Sequence, residues 1–206
     1  MTAMQAVVDF ILELERLKGV TRQTRVLGED RFENSAEHSW QIAMLALALA
    51  PHAPPGTDMA RVVQMLLLHD VGEIDTGDVL VYHLDPQGEH RNAERAAVQR
   101  ITGLLPPDQA ARLLDLWDEF DAAATTEARF AHAVDRAMPA LLNLANRGQS
   151  WVAHGIAYER VVARIGPPIA EGCPALWQWM KARLDEERER GWFGMGLSPA
   201  PPSGAP

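Results

Sequence analysis

The sequence has one cysteine, Cys173, in 206 residues. An internal disulfide framework and a zinc site built from several thiolates are therefore excluded, and such a chain suits a reducing compartment. The sequence also lacks an apolar run long enough to span a bilayer, because the run from Ala43 to Ala50 is short and stops at Pro51. The N-terminus lacks the basic region of a signal peptide. We therefore expect a cytoplasmic protein with no membrane partner.

Positive charge is scarce. The chain has 19 Lys and Arg residues against 28 Asp and Glu residues, for a formal net charge of −9. A broad nucleic-acid-binding surface is therefore not expected, whereas a small anionic substrate is compatible with a few arginines lining one pocket. With 47% hydrophobic residues the chain can bury one core. We expect a single domain over residues 1–193 and a disordered tail over residues 194–206, which are mostly Pro, Gly, Ser and Ala.

The alternation of polar and apolar residues that is typical of strands is also missing. Apolar residues recur instead at helical spacing, which predicts an all-α protein. We interpret Val20 to Asn34 as an ordered loop, and we expect Ser35, Asp58 and Thr125 or Thr126 to cap helices. The predicted helices cover about residues 7–18, 36–49, 59–71, 89–102, 106–123, 126–146, 157–165 and 174–190.

Four polar residues interrupt the apolar helix faces, namely His38, His69, Asp70 and Asp135. His38 shares its helix face with Ile42, and Asp135 directly follows Val134 in an apolar stripe. The adjacent His69 and Asp70 end the apolar run 65–68. A buried carboxylate needs a compensating partner, and a divalent metal is a strong one.

Two imidazoles and two carboxylates suit a divalent transition metal such as Mn, Co, Fe, Ni or Zn, whereas Ca prefers more oxygen ligands. Four protein ligands leave positions open for water, as catalytic sites do. A bound metal would lower the pKa of that water and polarise a phosphoryl oxygen. Taken singly, each residue also fits a hydrogen-bonded core group, and Asp135 beside Arg136 fits a surface ion pair. The adjacent pair together with two further polar intrusions favours the metal site.

Several short motifs extend this pattern along the chain. They are Glu37-His38-Ser39-Trp40, His69-Asp70-Val71-Gly72-Glu73, Thr76-Gly77-Asp78, Glu127-Ala128-Arg129-Phe130 and Val134-Asp135-Arg136. In this order they resemble the HD-domain phosphohydrolase superfamily, and in particular its branch of bacterial 5′-deoxyribonucleotidases and their eukaryotic relatives. The resemblance runs from about Phe10 to about Leu144. It implies an HD-domain helical bundle whose metal ligands project inward from facing helices.

The resemblance also implies roles for residues around the metal. Glu73 follows the His-Asp pair by one helical turn and would position the attacking water. Asp78 would contact the sugar or donate a proton, and Arg22 would bind the substrate phosphate. Arg25 and Arg31 are further phosphate candidates, for which ordinary solvation is the better interpretation.

The implied reaction is metal-dependent hydrolysis of nucleoside or deoxynucleoside 5′-monophosphates to nucleoside and phosphate. Nucleoside-triphosphate hydrolysis by the same fold stays open as an alternative, as does a non-catalytic regulatory protein that retains the metal.

One departure from the branch concerns a lysine that often precedes the helix after the site. In this chain His83, His90 or Arg91 is the candidate replacement. The tryptophans lie mostly in the C-terminal half, and we assign them to the core or a subunit interface rather than to the substrate. The resemblance leaves open a homodimer.

Overall fold

Ten α-helices make up most of the chain in the computed structural model, which describes residues 2–79 and 88–194. They are α1 (Ala3–Leu14), α2 (Ser35–Leu49), α3 (Met59–Leu68), α4 (Glu73–Thr76), α5 (Glu89–Thr102), α6 (Pro107–Ala122), α7 (Thr126–Ala145), α8 (Gln149–Ala153), α9 (Tyr158–Gly172) and α10 (Pro174–Glu189). Short 3-10 helices, Glu15–Gly19 and Ala50–His52, follow α1 and α2. The all-α class predicted from the sequence is confirmed. None of the described helices is long and apolar enough to cross a membrane.

The stretch predicted to be a loop instead forms a short antiparallel hairpin. Strand β1 (Thr21–Arg25) pairs with β2 (Phe32–Asn34), with Thr21 opposite Asn34. The prediction was wrong because the strands are mostly polar and carry no apolar face that alternation could reveal. Backbone pairing defines them instead. Arg22 therefore projects from a strand rather than from a loop.

Capping side chains define where several helices begin. The Asn34 side chain accepts a hydrogen bond from the Glu37 backbone, and the Glu37 carboxylate accepts one from the Asn34 backbone. This capping box begins α2 one residue earlier than predicted, so Ser35 is not the cap. Asp58 and Thr125 cap α3 and α7 as predicted.

The end of α3 differs from the prediction in a way that matters for the site. The helix was predicted to run to Val71 but ends at Leu68, and a tight turn follows in which the Glu73 N–H bonds to the Asp70 carbonyl. A Cβ on Gly72 would lie 2.8 Å from a backbone oxygen of α5, so only glycine permits this approach. Asp70 and Glu73 therefore project from a turn and from the start of α4 rather than from one continuous helix.

Helix α7 is central, because it packs against α2, α3, α6 and α9. Its Ala131, Val134 and Ala137 are completely buried. A Cβ on Gly172 of α9 would lie 2.1 Å from the backbone oxygen of Arg129, so glycine allows the two helices to approach closely. A side chain on the inner face of α7 is thereby placed in the middle of the bundle.

Two predictions about the C-terminal part were incomplete. The helix predicted to end near residue 165 continues to Gly172 through Pro167 and Pro168. Consecutive prolines remove two backbone donors, but burial of Ile165 and Ile169 holds this segment in helical form. The five-residue α8 was not predicted, since it is too short to show periodicity.

The predicted disordered tail lies outside the described residues, apart from its first member. The backbone N–H of Gly194 donates to the Ile156 carbonyl at 2.9 Å.

Candidate metal centre and cavity

The structure brings the four predicted ligands together from three parts of the chain. His38 comes from α2, His69 and Asp70 from the turn after α3, and Asp135 from α7. His38 Nε2 lies 3.1 Å from Asp135 Oδ1, and His69 Nε2 lies 3.6 Å from the same oxygen. Asp70 joins the group through Oδ1, which is 2.8 Å from His69 Nε2. Residues nearly 100 positions apart in the chain therefore form one polar cluster.

The orientation of His69 is set by a backbone contact. Its Nδ1 lies 2.9 Å from the Leu66 carbonyl oxygen, which can only accept a hydrogen bond, so Nδ1 carries the proton. In the neutral ring Nε2 then presents a lone pair to the cluster. Nε2 is buried and makes no well-aligned hydrogen bond within the described residues, although carboxylate oxygens of Asp70 and Asp135 lie 2.8 and 3.6 Å from it. An imidazole whose Nδ1 is fixed by a backbone carbonyl and whose Nε2 faces two carboxylates is oriented as a metal ligand requires.

The electrostatics of the cluster favour a cation at its centre. Burial lowers the pKa of His69, but Asp70 and Asp135 more than offset this and raise it to about 10. The carboxylates therefore attract positive charge to His69 Nε2, either as a proton or as a metal cation. His38 differs, because burial and the nearby Arg22 lower its pKa to about 4 and keep its ring neutral.

The donor set fits a divalent metal. One ligand atom each from His38, His69 and Asp135 lies within 4.8 Å of the other two, and these residues are almost completely buried. Two nitrogens and carboxylate oxygens at this spacing match the preferences of divalent transition metals. The expected cofactor class is supported by these residues, and nothing in the donor set selects one metal.

Arg22 lies on the other side of Asp70, where it meets several carboxylates. Its Nη1 is 2.8 Å from Asp70 Oδ2, and its Nε is 3.2 Å from Glu33 Oε1. Glu73 and Asp78 approach Nη1 at 3.8 and 3.6 Å. Burial lowers the pKa of the guanidinium, but these acidic groups more than compensate and raise it. Arg22 is thus a buried cation within an acidic shell.

Glu73 and Asp78, predicted to act in catalysis, both lie in this shell. The Ser35 hydroxyl donates to Glu73 Oε2 at 2.6 Å. Burial, followed by the Asp70 charge, raises the pKa of Glu73. Burial also raises the pKa of Asp78, with Arg22 opposing the change. Both groups can therefore hold a proton more readily than free carboxyl groups do.

Several residues that support the site were not predicted from the sequence. Glu33 is buried on β2, and burial raises its pKa to about 7 although Arg22 opposes this. It lies in the polar stretch interpreted as a loop, and no sequence signal marked it as buried. Trp117 was assigned to the core or a subunit interface; it is buried in the core, and its indole also donates to the His69 carbonyl at 2.9 Å. Ser35 was expected to cap a helix and instead holds Glu73.

The cluster opens into a cavity of about 430 Å³. His69, Asp70 and Asp135 line the part of the cavity next to the candidate metal ligands, here called the metal end. Trp151 of α8 also lines the cavity. Its volume lies within the range of small-molecule sites.

Two of the three candidates for the missing lysine also line this cavity. His90 Nε2 is 3.1 Å from Glu94 Oε1, and Arg91 is paired with Asp121. His83 lies outside the described residues. Both described candidates therefore already have acidic partners, and the structure does not single out one of them.

The sequence of this chain matches a known protein family. A profile of the HD domain family matches residues 14–177, a stretch that contains all four candidate ligands. The chain belongs to the HD domain family. This membership confirms the resemblance seen in the sequence motifs and the helical fold that it implied.

Several relatives of this HD-domain chain carry functional names. The human protein named 5'-deoxynucleotidase HDDC2 is 28% identical over 133 residues, which cover 64% of each chain. The 5'-deoxynucleotidase of Erwinia tasmaniensis is 31% identical over 118 residues, or 53% of this chain and 59% of that protein. The chain thus spans less than two thirds of the length of these relatives.

A solved structure is similar over a larger part of the chain. The crystal structure of a predicted metal-dependent phosphohydrolase from Magnetospirillum magnetotacticum MS-1 is 40% identical, with a TM-score of 0.87. The similarity covers 93% of this HD-domain chain and 98% of that one.

Proposed function

We propose that this HD-domain chain is a metal-dependent phosphomonoesterase that hydrolyses nucleoside or deoxynucleoside 5′-monophosphates to nucleoside and phosphate. The observation that carries the proposal is the convergence of His38, His69 and Asp135 at one end of a cavity of about 430 Å³. The names of the relatives support the reaction class, and the cavity volume fits a ligand the size of a mononucleotide.

His38, His69, Asp70 and Asp135 would hold the metal, with Mn, Co, Fe, Ni and Zn as the candidates. When bound, a divalent metal acidifies water and stabilises negative charge on a phosphoryl oxygen. Asp70 would also position Arg22, since its second oxygen accepts a hydrogen bond from the guanidinium. The metal end and the arginine are thereby held at a constant separation, which favours a reproducible position for the substrate phosphate.

Glu73 is the candidate base. Its Oε2 is held by the Ser35 hydroxyl, and it lines the cavity next to Asp70. Burial raises the pKa of Glu73, so it holds a proton firmly once it has taken one from water. It would act as a base only in its ionised form, which a divalent cation bound beside Asp70 would favour.

Asp78 is the candidate acid or sugar contact. It is 3.6 Å from Arg22 and also lines the cavity. Its raised pKa favours a protonated carboxyl that can donate to the leaving oxygen or to a sugar hydroxyl.

The cavity lining also provides apolar surface for a nucleobase. Trp151, Ile156 and Ile165 are among its lining residues. A lining that combines aromatic and aliphatic side chains with charged groups fits a nucleotide better than a small inorganic ester.

The decisive experiment measures product release from a panel of nucleoside mono- and triphosphates with Mn, Co, Mg and Zn added separately. The proposal predicts free phosphate from 5′-monophosphates and no activity in His69→Ala. His52→Ala is the matched control, since His52 is an exposed histidine outside the cluster. Pyrophosphate or triphosphate release without monophosphate turnover would favour nucleoside-triphosphate hydrolysis. No turnover with any metal would favour a regulatory protein.

A further inference from the structure

Arg136 follows Asp135 on α7 and lines the same cavity. Its Nε is 3.7 Å from Asp135 Oδ2, and its side chain is 29% exposed. Within residues 2–79 and 88–194, this ion pair is its only recorded polar contact, and its guanidinium donates no hydrogen bond. No described residue therefore accepts a hydrogen bond from its guanidinium, which faces the cavity lining with its remaining N–H donors.

The two arginines that line the cavity differ in the number of acidic side chains around them. Arg22 meets four carboxylates and is largely buried, whereas Arg136 has one distant acidic neighbour. Burying Arg22 in an acidic shell satisfies its charge within the protein. A guanidinium without such a shell is the better donor to an incoming anion.

The charge balance at the metal end points the same way. Five carboxyl groups line or contact this end, namely Glu33, Asp70, Glu73, Asp78 and Asp135. When all five are ionised, one arginine and one divalent cation do not balance their charge, and protonation of Glu33, Glu73 and Asp78, whose pKa values are raised, reduces the deficit. A phosphate dianion entering this end needs a further cation, because like charges repel strongly where water is partly excluded.

The positions of the two arginines are related through the two aspartates. Asp70 directs Oδ1 to His69 and Oδ2 to Arg22, while Asp135 directs Oδ1 to His38 and Oδ2 to Arg136. Each arginine thus lies beyond the outer oxygen of one candidate ligand. Each of the two carboxylate ligand candidates therefore has its own arginine neighbour.

We propose that Arg136, beside Asp135, binds the phosphate of the substrate monoester and so selects for a dianionic ligand. This inference rests on the proposed function for the identity of the substrate, but not for the presence of an anion subsite. The chemical class recognised is a phosphate with two or more free oxygens, which a guanidinium can contact through paired hydrogen bonds.

The test measures binding of inorganic phosphate to metal-loaded protein by isothermal titration calorimetry. Arg136→Ala should raise the dissociation constant about ten- to hundredfold, because charge-assisted hydrogen bonds are lost. Arg136→Lys should recover part of the affinity, since an ammonium keeps the charge but lacks the planar fork. Arg129→Ala is the matched control on the same helix, because Arg129 pairs with Glu171 and does not line the cavity.

Two further measurements separate ligand binding from a structural role. Metal content by elemental analysis should be unchanged in Arg136→Ala, and binding of an uncharged nucleoside should also be unchanged. In turnover assays the variant should raise KM for monophosphates far more than it lowers kcat.

Several outcomes would overturn the inference. They are unchanged phosphate affinity in Arg136→Ala, loss of metal in that variant, or no phosphate binding by the parent protein. Phosphate binding that depends on Arg136 in a protein that hydrolyses no nucleotide would support the anion subsite while contradicting the proposed function.

Discussion

The indole Nε1 of Trp117 donates a hydrogen bond to the backbone carbonyl of His69 across 2.9 Å. This contact joins α6 to the turn that carries His69 and Asp70. The turn lies beyond the end of α3, so its carbonyl groups are not all used within the helix. A buried side chain on another helix thus holds the backbone from which two candidate ligands project.

Replacing Trp117 with Phe should keep most of the buried aromatic volume and remove this one donor. We expect a loss of about 1 kcal/mol in the free energy of unfolding, from the unsatisfied carbonyl. Metal affinity should fall about tenfold, because supporting residues orient ligands. Denaturant unfolding and metal titration measure the two effects. Trp179→Phe, on an exposed tryptophan, is the control, and equal effects in both variants would contradict the role of the hydrogen bond.

Asp70→Ala should abolish metal retention and hydrolysis together. The change removes one candidate ligand and also leaves Arg22 without its shortest ion pair. Metal affinity should fall by more than about a hundredfold, which exceeds the loss of a supporting residue. Elemental analysis after dialysis, alongside phosphate release, gives the answer. Asp75→Ala is the control, because Asp75 pairs with Arg100 outside the cavity. Full metal content with normal turnover in Asp70→Ala would remove Asp70 from the site.

Glu73→Gln should keep the metal and lose turnover. The amide can still accept a hydrogen bond from Ser35, but it cannot take a proton from water. General-base groups contribute about a hundredfold to ten-thousandfold to the rate. Steady-state kinetics on the best nucleotide and elemental analysis of the same sample test this. A parent-like kcat would assign the base to another residue.

Arg22→Ala should destabilise the fold as well as weaken substrate use. Removing one partner from a buried charge cluster costs about 3–5 kcal/mol, since the remaining charges stay buried without compensation. Arg22→Lys should recover part of the stability and part of the substrate use, because it keeps the positive charge. Recovery should be incomplete, because the ammonium cannot contact Glu33 and Asp70 in the same fork geometry. Denaturant midpoints and kcat/KM are the measurements. Arg31→Ala is the control on the exposed part of the hairpin, and similar midpoints for the two alanine variants would contradict the role of Arg22.

Adding a metal that binds the cluster should raise the melting temperature of the parent protein. At a thousandfold excess over its dissociation constant, a ligand that binds only the folded state contributes about 4 kcal/mol. Thermal scans with Mn, Co, Ni or Zn, each with and without a chelator, should rank the metals by affinity. His38→Ala should remove the response. An equal shift in that variant would show that the stabilising metal binds elsewhere.

Some of this protein was predictable from local sequence. The four candidate ligands were found because each interrupts an apolar stripe, and side-chain periodicity within one helix is a local property. Asp58 and Thr125 were correctly predicted as caps because a cap bonds within three residues of itself. The HD domain family was identified because its motifs follow one another in a constant order. A cytoplasmic location and a homodimer stay predictions.

The tertiary structure decided the rest, because the relevant contacts join distant segments. Glu33 is buried only because β2 pairs with β1 and α2 begins beside it. Arg22 has four acidic neighbours that lie between 11 and 56 positions away in the chain. The turn after α3 depends on the close passage of α5 at Gly72. Local pattern reports which side chains face inward, whereas only the packing of whole elements determines which of them meet and which charges remain unpaired.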